Sequence, residues 1–342
     1  MVDVGVFDWV DYSDREPPTR IFGERLGLAA LADELGFTTY HVAEHHFTPL
    51  GGAPSPSVWL AAVARETSRI RLGPLVYLLP LYDPLRLLAE IAMIDHLSNG
   101  RMELGVGRGV SPYELGYYGM DPTRSREVLE ETVEILVKGF TEDRLFHEGR
   151  TRPSYDGVPM ELRPLQQPYP PLWHATSSPD GLAWAGRHGM NLMGLGPAAL
   201  FGQAVAGYRE AQAAHSDDAE RFNAHVAEPR MGMMRQVIVA DTDEDAEKIL
   251  RAMFDQWQHS FVKLWLANDD EPHAVGIPTI EGFKGAGALI CGSPETVRHG
   301  LAATIEEGGL NYLAVAFAWG SIAAEQTERS MRLFADEVRP HL

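Results

Sequence analysis

The chain has 342 residues, with 29 Lys and Arg against 48 Asp and Glu, and its formal net charge of −19 argues against nucleic acid or an anionic membrane surface as a partner. Hydrophobic residues make up 45% and charged residues 23%, the composition of an ordinary globular protein, and no run reaches the roughly 18 apolar residues of a membrane-spanning helix. The start Met1-Val2-Asp3 carries no basic and then apolar leader, and the one cysteine, Cys291, allows neither an intrachain disulfide nor a thiolate cluster, so a cytoplasmic, reducing location is expected.

Short β-prone runs alternate with stretches of helical period, each closed by Gly, Pro, Asp or Ser. Val4 to Phe7 is the first predicted strand, followed by a helix over Arg20 to Leu35 that Gly36 ends, and Thr38 to Ala43 is the second. A helix over Pro56 to Thr67 leads to the third strand, Ile70 to Leu79. The helix Pro84 to Leu97, with Leu87, Leu88, Ile91 and Ile94 as its stripe, leads to the fourth, Arg101 to Val106. After a loop, Ser125 to Phe140 places Leu129, Val133, Leu136 and Phe140 on one helical face, and residues 141–170 read as an excursion between units. Strand five is Pro171 to Thr176 with helix Pro179 to Arg187. Strand six is Asn191 to Gly194 with helix Ala198 to Ala214, and strand seven is Met231 to Ala240 with helix Thr242 to Leu264. Residues 265–286 show no usable period and read as a mobile insertion. A helix over Ser293 to Glu307, an eighth strand over Tyr312 to Phe317 and a closing helix over Ile322 to Val338 complete the count.

Eight β-α units in strict alternation, within one domain spanning 1–342, favour an α/β (β/α)8 TIM barrel over a two-domain α/β protein. Barrel chemistry sits at the C-terminal ends of the strands. The second strand ends in His41-Val42-Ala43-Glu44-His45-His46-Phe47, where alternation puts His41, Ala43 and His45 on one face and Glu44 and His46 on the other. Residues on opposite faces do not converge on one ion and no HExxH helix is present, so no metal is expected; hydrogen-bonded histidines at a strand end are the plain alternative.

The fourth strand ends in Gly105-Val106-Gly107-Arg108-Gly109-Val110, in which glycines allow close backbone approach and the Arg108 fork suits a phosphate. The same pattern also reads as a tight turn with a surface arginine. Its spacing is not the GxGxxG dinucleotide fingerprint. Thr176-Ser177-Ser178-Pro179-Asp180-Gly181 opens a helix whose N-terminus makes an anion cradle or a simple N-cap. Arg126 stands at a helix start, where a cation opposes the dipole and a bound anion would offset it.

Phe37 to Thr48 with its Glu44-His45-His46-Phe47 core, Leu79-Pro80 with Asp83 to Arg86, Asp95 to Arg101, Gly105 to Gly109, Ser125-Arg126 and Phe334 to Val338 together resemble the bacterial luciferase-like flavin-dependent monooxygenases. The resemblance implies a TIM barrel that uses reduced FMN, supplied by a separate flavin reductase, and O2, through a C4a-peroxyflavin, to oxygenate a small, largely apolar substrate. It places the catalytic histidine at His45 and the flavin phosphate against Arg108, Arg126, Ser177, Ser178 and Gly181. Val110 belongs to the same cofactor set, and Leu75 and Val76 meet the isoalloxazine ring at a strand irregularity that relatives often build with a cis non-proline peptide. Phe7, Trp9, Tyr117 and Tyr118 are candidates to line the substrate pocket. A homodimer is expected, and residues 265–286 match the position of a lid. Gly107 stands where luciferase has a reactive cysteine, so light emission from a long-chain aldehyde is not implied. An F420-dependent dehydrogenase of the same superfamily and a non-catalytic flavin-binding partner subunit remain alternatives.

Overall fold

The computed structural model describes residues 2–13, 17–218, 220–270 and 276–342. Its strands are β1 (Asp3–Asp8), β2 (Thr39–Val42), β3 (Arg71–Pro74), β4 (Tyr77–Leu78), β5 (Leu104–Gly107), β6 (Arg144–His147), β7 (Tyr155–Pro159), β8 (Leu172–Ala175), β9 (Asn191–Gly194), β10 (Met231–Val239), β11 (Leu289–Gly292) and β12 (Tyr312–Ala316). Nine of them follow one path, β3-β2-β1-β12-β10-β9-β8-β5-β4, and every pairing along it is parallel. β3 pairs with β2 and β4 with β5, so the run from Arg71 to Leu78 is one wall strand in two halves, and a parallel bridge between Leu72 and Met102 draws the ends of the path together. The sheet closes into the α/β barrel expected from the alternation, with the helices outside.

Side-chain alternation sorts the strands into two cores. Val4, Val6, Tyr40, Val42, Leu72, Leu104 and Val106 pack outward against the helices, whereas Phe7, Trp9, Ala43, Leu75, Trp173, Ala314 and Ala316 fill the interior. The interior floor carries a polar network. His41 Nε2 lies 2.9 Å from the Tyr312 hydroxyl, Trp173 Nε1 donates to Glu103 at 2.6 Å, Glu103 pairs with Arg71, and Arg230 lies over the Tyr312 ring at 5.3 Å. Burial, aided by the Arg230 charge, pushes the His41 imidazole down to about 3 and keeps it neutral. His41 therefore belongs to the floor and not to the mouth.

The third predicted strand is interrupted at Leu75-Val76, whose peptide bond is cis. The glycines of β5 explain how the neighbouring strand fits this break: a Cβ on Gly105 would lie 2.1 Å from the Pro74 carbonyl oxygen, and one on Gly107 would lie 2.3 Å from Val76 Cγ2. Gly105→Ala should lower unfolding stability by about 1–3 kcal/mol, the usual penalty of overpacking, in chemical denaturation. An unchanged midpoint would show that β5 moves aside freely.

Four stretches depart from the sequence reading. The loop before Ser125 holds a helix, Pro112–Tyr117, capped by Ser111, and residues 141–170 contain the antiparallel hairpin β6-β7. In 265–286 the preceding helix runs on to Ala267, Thr279 caps a further helix, Ile280–Gly285, and β11 then pairs with β10, so this stretch is not a featureless insertion; its residues 271–275 lie outside the described residues. The short helix was obscured because Gly276, Gly282, Gly285 and Gly287 break any period, and the structure holds it through the packing of Phe283 on Trp257 at 5.3 Å. The closing helix is shorter than expected, Ala324–Leu333, and continues into one π turn over Phe334–Val338.

Candidate active site

His45 follows β2 at the C-terminal mouth of the barrel and is half-buried. Its Nδ1 lies 3.1 Å from Oε1 of Glu114, which also accepts the His46 backbone N–H at 3.0 Å. Glu114 comes from the helix Pro112–Tyr117, where Ser111 Oγ accepts its backbone N–H. Ser111 and Glu114 have the spacing of a capping box, so the sequence offers Glu114 only as a capping group, yet its carboxylate turns to the histidine. Burial opposes charge on both groups, but each is the other's counter-ion, and the balance holds His45 above the ordinary imidazole value and Glu114 below the ordinary carboxylate value. The pair is ionic over the window between those two values, and His45 Nε2 has no partner among the described residues. Glu114 Oε2 is likewise buried without one.

The opposite face of the same strand end forms its own chain. Glu44 accepts the Leu78 N–H at 2.9 Å and the Tyr82 hydroxyl at 3.0 Å, contacts His46 Nε2 at 2.8 Å, and His46 Nδ1 lies 3.0 Å from the Tyr118 hydroxyl. Glu44 thus ties the second half of the third wall strand, at Leu78, and the following Tyr82 to the end of the second strand. Alternation had separated Glu44 and His46 from His45, and no metal-binding group of three or more His, Cys, Asp or Glu occurs among the described residues.

The phosphate candidates converge at neighbouring strand ends. β5 and β8 pair as neighbours up to Val106 opposite His174, so Arg108 and Thr176 follow the ends of adjacent strands. Ser178 Oγ accepts the Gly181 N–H at 3.2 Å and Thr176 Oγ1 accepts the Ser178 N–H at 3.2 Å, so the simple N-cap is realised. Arg126 does not wait for an anion: it pairs with Glu130 at 2.8 Å and Asp180 at 3.1 Å, and these carboxylates offset the dipole penalty expected at its position. The pairing nevertheless draws Arg126 onto the start of the helix Pro179–His188. Arg108 is exposed and makes no ion pair or hydrogen bond among the described residues. His174 senses both cations: burial pushes its imidazole down to about 4, and the Arg126 and Arg108 charges add to the depression.

Phe7 and Trp9 are buried with ring centroids 5.0 Å apart, and Trp9 meets Trp257 at 6.1 Å. Tyr117 and Tyr118 are more than half exposed and join Phe47 in an aromatic rim at 5.2 and 5.5 Å, outside that buried group. Leu75 is buried in the interior cluster and Val76 packs against it, whereas the Val110 side chain projects into solvent. The long helix Asp243–Ala267 covers one side of the mouth through Trp257, stacked on Phe261 at 5.1 Å, and through the Ser260 carbonyl, which accepts the Thr48 hydroxyl at 2.6 Å. Trp257 and Glu114 are the residues the sequence reading did not single out. Trp257 had a signal in the apolar period of its helix, but nothing local says that this face roofs a barrel.

The profile of the luciferase-like monooxygenases matches residues 3–312. The chain belongs to this family. A luciferase-like monooxygenase is accordingly an oxidoreductase, and the barrel is an architecture it shares with solved structures of this kind. Among relatives, the uncharacterized protein y4wF of Sinorhizobium fredii is 38% identical over 323 residues, 93% of this chain and 91% of that protein. The oxygenase component of the flavin-dependent trigonelline monooxygenase of Acinetobacter baylyi is 30% identical over 264 residues, 76% of this chain and 70% of that protein. The crystal structure of monooxygenase RslO1 from Streptomyces bottropensis superposes with a TM-score of 0.86 at 26% identity, covering 99% of each chain. A side chain at Gly107 would have to displace Val76, whose Cγ2 would lie 2.3 Å from its Cβ.

Proposed function

We propose that this chain is the oxygenase of a two-component system that binds reduced FMN at the barrel mouth and oxygenates a small, largely apolar substrate with O2. The observation that carries the reading is Arg108. In a protein of net charge −19, an exposed guanidinium with no partner among the described residues follows β5, whose neighbour β8 leads into the capped start of a helix that a second arginine, Arg126, reaches through Asp180. Fixed donors and a focused positive field at a helix N-terminus suit a phosphate monoester. Arg108 would fork the phosphate, with Ser177, Ser178, Gly181 and Arg126 around it, and Leu75-Val76 would support the ring system on the inner wall. Bound there, reduced flavin supplies the two electrons that activate O2. His45 holds a proton on Nε2, Glu114 fixes its ring and charge, and the aromatic groups of the mouth keep water out. The Acinetobacter relative is named as an oxygenase component, which supports a separate reductase as the source of reduced flavin.

An anaerobic titration with reduced FMN, followed by quenching of tryptophan fluorescence, should saturate, and mixing the complex with air in stopped flow should give reoxidation far slower than that of free flavin. Saturation by reduced F420 alone would overturn the reading in favour of hydride transfer, and saturation by neither would favour an accessory chain. Arg108→Ala should weaken FMN by about 2 kcal/mol while riboflavin, which lacks the phosphate, loses little. Equal losses for both ligands would remove the phosphate assignment.

The stretch 265–286 is proposed to cover the mouth. It starts against the site helix, where Asn268 donates to the Tyr117 hydroxyl at 3.0 Å and Tyr113 donates to Asp270 at 2.6 Å. FMN should slow limited proteolysis between Asp269 and Gly285; an unchanged cleavage rate would assign the stretch no role in closure.

A further inference from the structure

β10 carries Met234, Gln236 and Ile238 on one face. Met234 and Ile238 both pack into the interior cluster with Phe7, Trp9, Trp257 and Trp319, whereas Met233, Val237 and Val239 pack outward. Gln236 therefore points inward, and its registered neighbour on β12, Ala316, belongs to the same interior cluster. Gln236 is 1% exposed, yet neither its Oε1 nor its Nε2 has a hydrogen-bond partner among the described residues. Two further buried donors without partners, Trp257 Nε1 and Trp319 Nε1, lie in this cluster, and the two indole rings are 5.9 Å apart. Buried amide and indole groups are ordinarily satisfied, because leaving one unpaired forfeits its hydration with nothing in return. Together these groups give the barrel interior three donors and one acceptor, a hydrogen-bonding capacity that no described residue meets.

We infer that Gln236, with Trp257 and Trp319, is the substrate-recognition set of this oxygenase, and that it takes an uncharged ring compound bearing a carbonyl oxygen. The reading rests on the proposed function, since it supplies the molecule to be oxygenated. Charge is excluded because the titratable members of the cluster, Tyr312 and Cys291, are both pushed up by burial and held neutral, so a buried carboxylate or ammonium would find no counter-ion among them. A ring is favoured because the walls are flat aromatic faces, and oxygen acceptors are favoured because donors outnumber the acceptor. The Gln236 amide can donate to a carbonyl through Nε2 and accept from a hydroxyl or ring N–H through Oε1.

The test uses the flavin-free protein and two probes of the same shape, 1-indanone and indane, titrated by tryptophan fluorescence. The wild type should bind 1-indanone at least about tenfold more tightly than indane, the ratio expected of one satisfied buried amide. Gln236→Leu should fold, bind indane at least as well and cut the preference to below about threefold, and Trp257→Phe should reduce it without abolishing it. Reduced FMN should bind Gln236→Leu as it binds the wild type. An equal preference in Gln236→Leu and the wild type would overturn the inference, as would a wild type indifferent to the carbonyl. Weakening of reduced FMN in parallel with 1-indanone would overturn it too, by assigning the amide to the cofactor. A wild type that prefers 1-indanone and has no affinity for reduced FMN would sink the flavin reading and leave this recognition set in place.

Discussion

Replacing His45 with alanine should lower turnover by about 10²–10⁴, the range of a lost acid–base group, while reduced FMN should still bind within several-fold. The size follows from the position of the ring: Nδ1 is tied to Glu114, so Nε2 at the mouth is the atom left to hold or release a proton. Product formed per reduced FMN consumed, in variant and wild type with one substrate, measures it, and near-normal turnover would take His45 out of the mechanism. The electrostatics add a signed expectation. Because the Glu114 carboxylate outweighs burial and raises the His45 value, a step that needs the protonated ring fails as pH rises through that value. Glu114→Gln removes the counter-ion, so the alkaline limb of the pH profile should move to lower pH. A profile that stays in place would leave Glu114 with only a packing role.

The second large effect concerns stability under the mouth. Arg25 is buried and bridges Asp8 at 3.2 Å and Asp11 at 2.8 Å; Asp8 also accepts the Tyr40 hydroxyl at 2.9 Å and Asp11 the Gly320 N–H at 2.5 Å. This network ties β1 to the loop after β12 and sets the wall that carries Phe7 and Trp9. Arg25→Met leaves two buried carboxylates without a cation and should lower stability by about 3–5 kcal/mol. Burial, opposed by Arg25, already lifts Asp11 to about 6, so Asp11 favours the fold most when protonated, and its contribution is lost as pH rises from the ordinary carboxylate range through about 6. The deficit of Arg25→Met should therefore be smaller at pH 5 than at pH 8 in urea denaturation. A deficit independent of pH would show that packing, not charge, dominates at this site.

The sequence alone determined the eight-unit barrel, the positions of its strand ends, and with them His45, Arg108 and the Ser177-Ser178 helix start. Those features rest on periodicity, capping and glycine placement, which are set by each residue's near neighbours in the chain. What only the tertiary structure decided is which groups meet. Glu114 lies 69 residues from His45 in sequence and reads locally as a cap. Arg126, expected to await an anion, is already paired with Glu130 and Asp180. Gln236 sits in a strand that reads as ordinary barrel wall, and its burial without a partner among the described residues shows only in the folded barrel. Whether a buried polar atom is satisfied depends on surroundings contributed by distant segments, and pairing across a closed barrel leaves no trace in local period. The scaffold is therefore legible along the chain, while the charge state and hydrogen-bonding capacity of its site arise from the closure of the barrel.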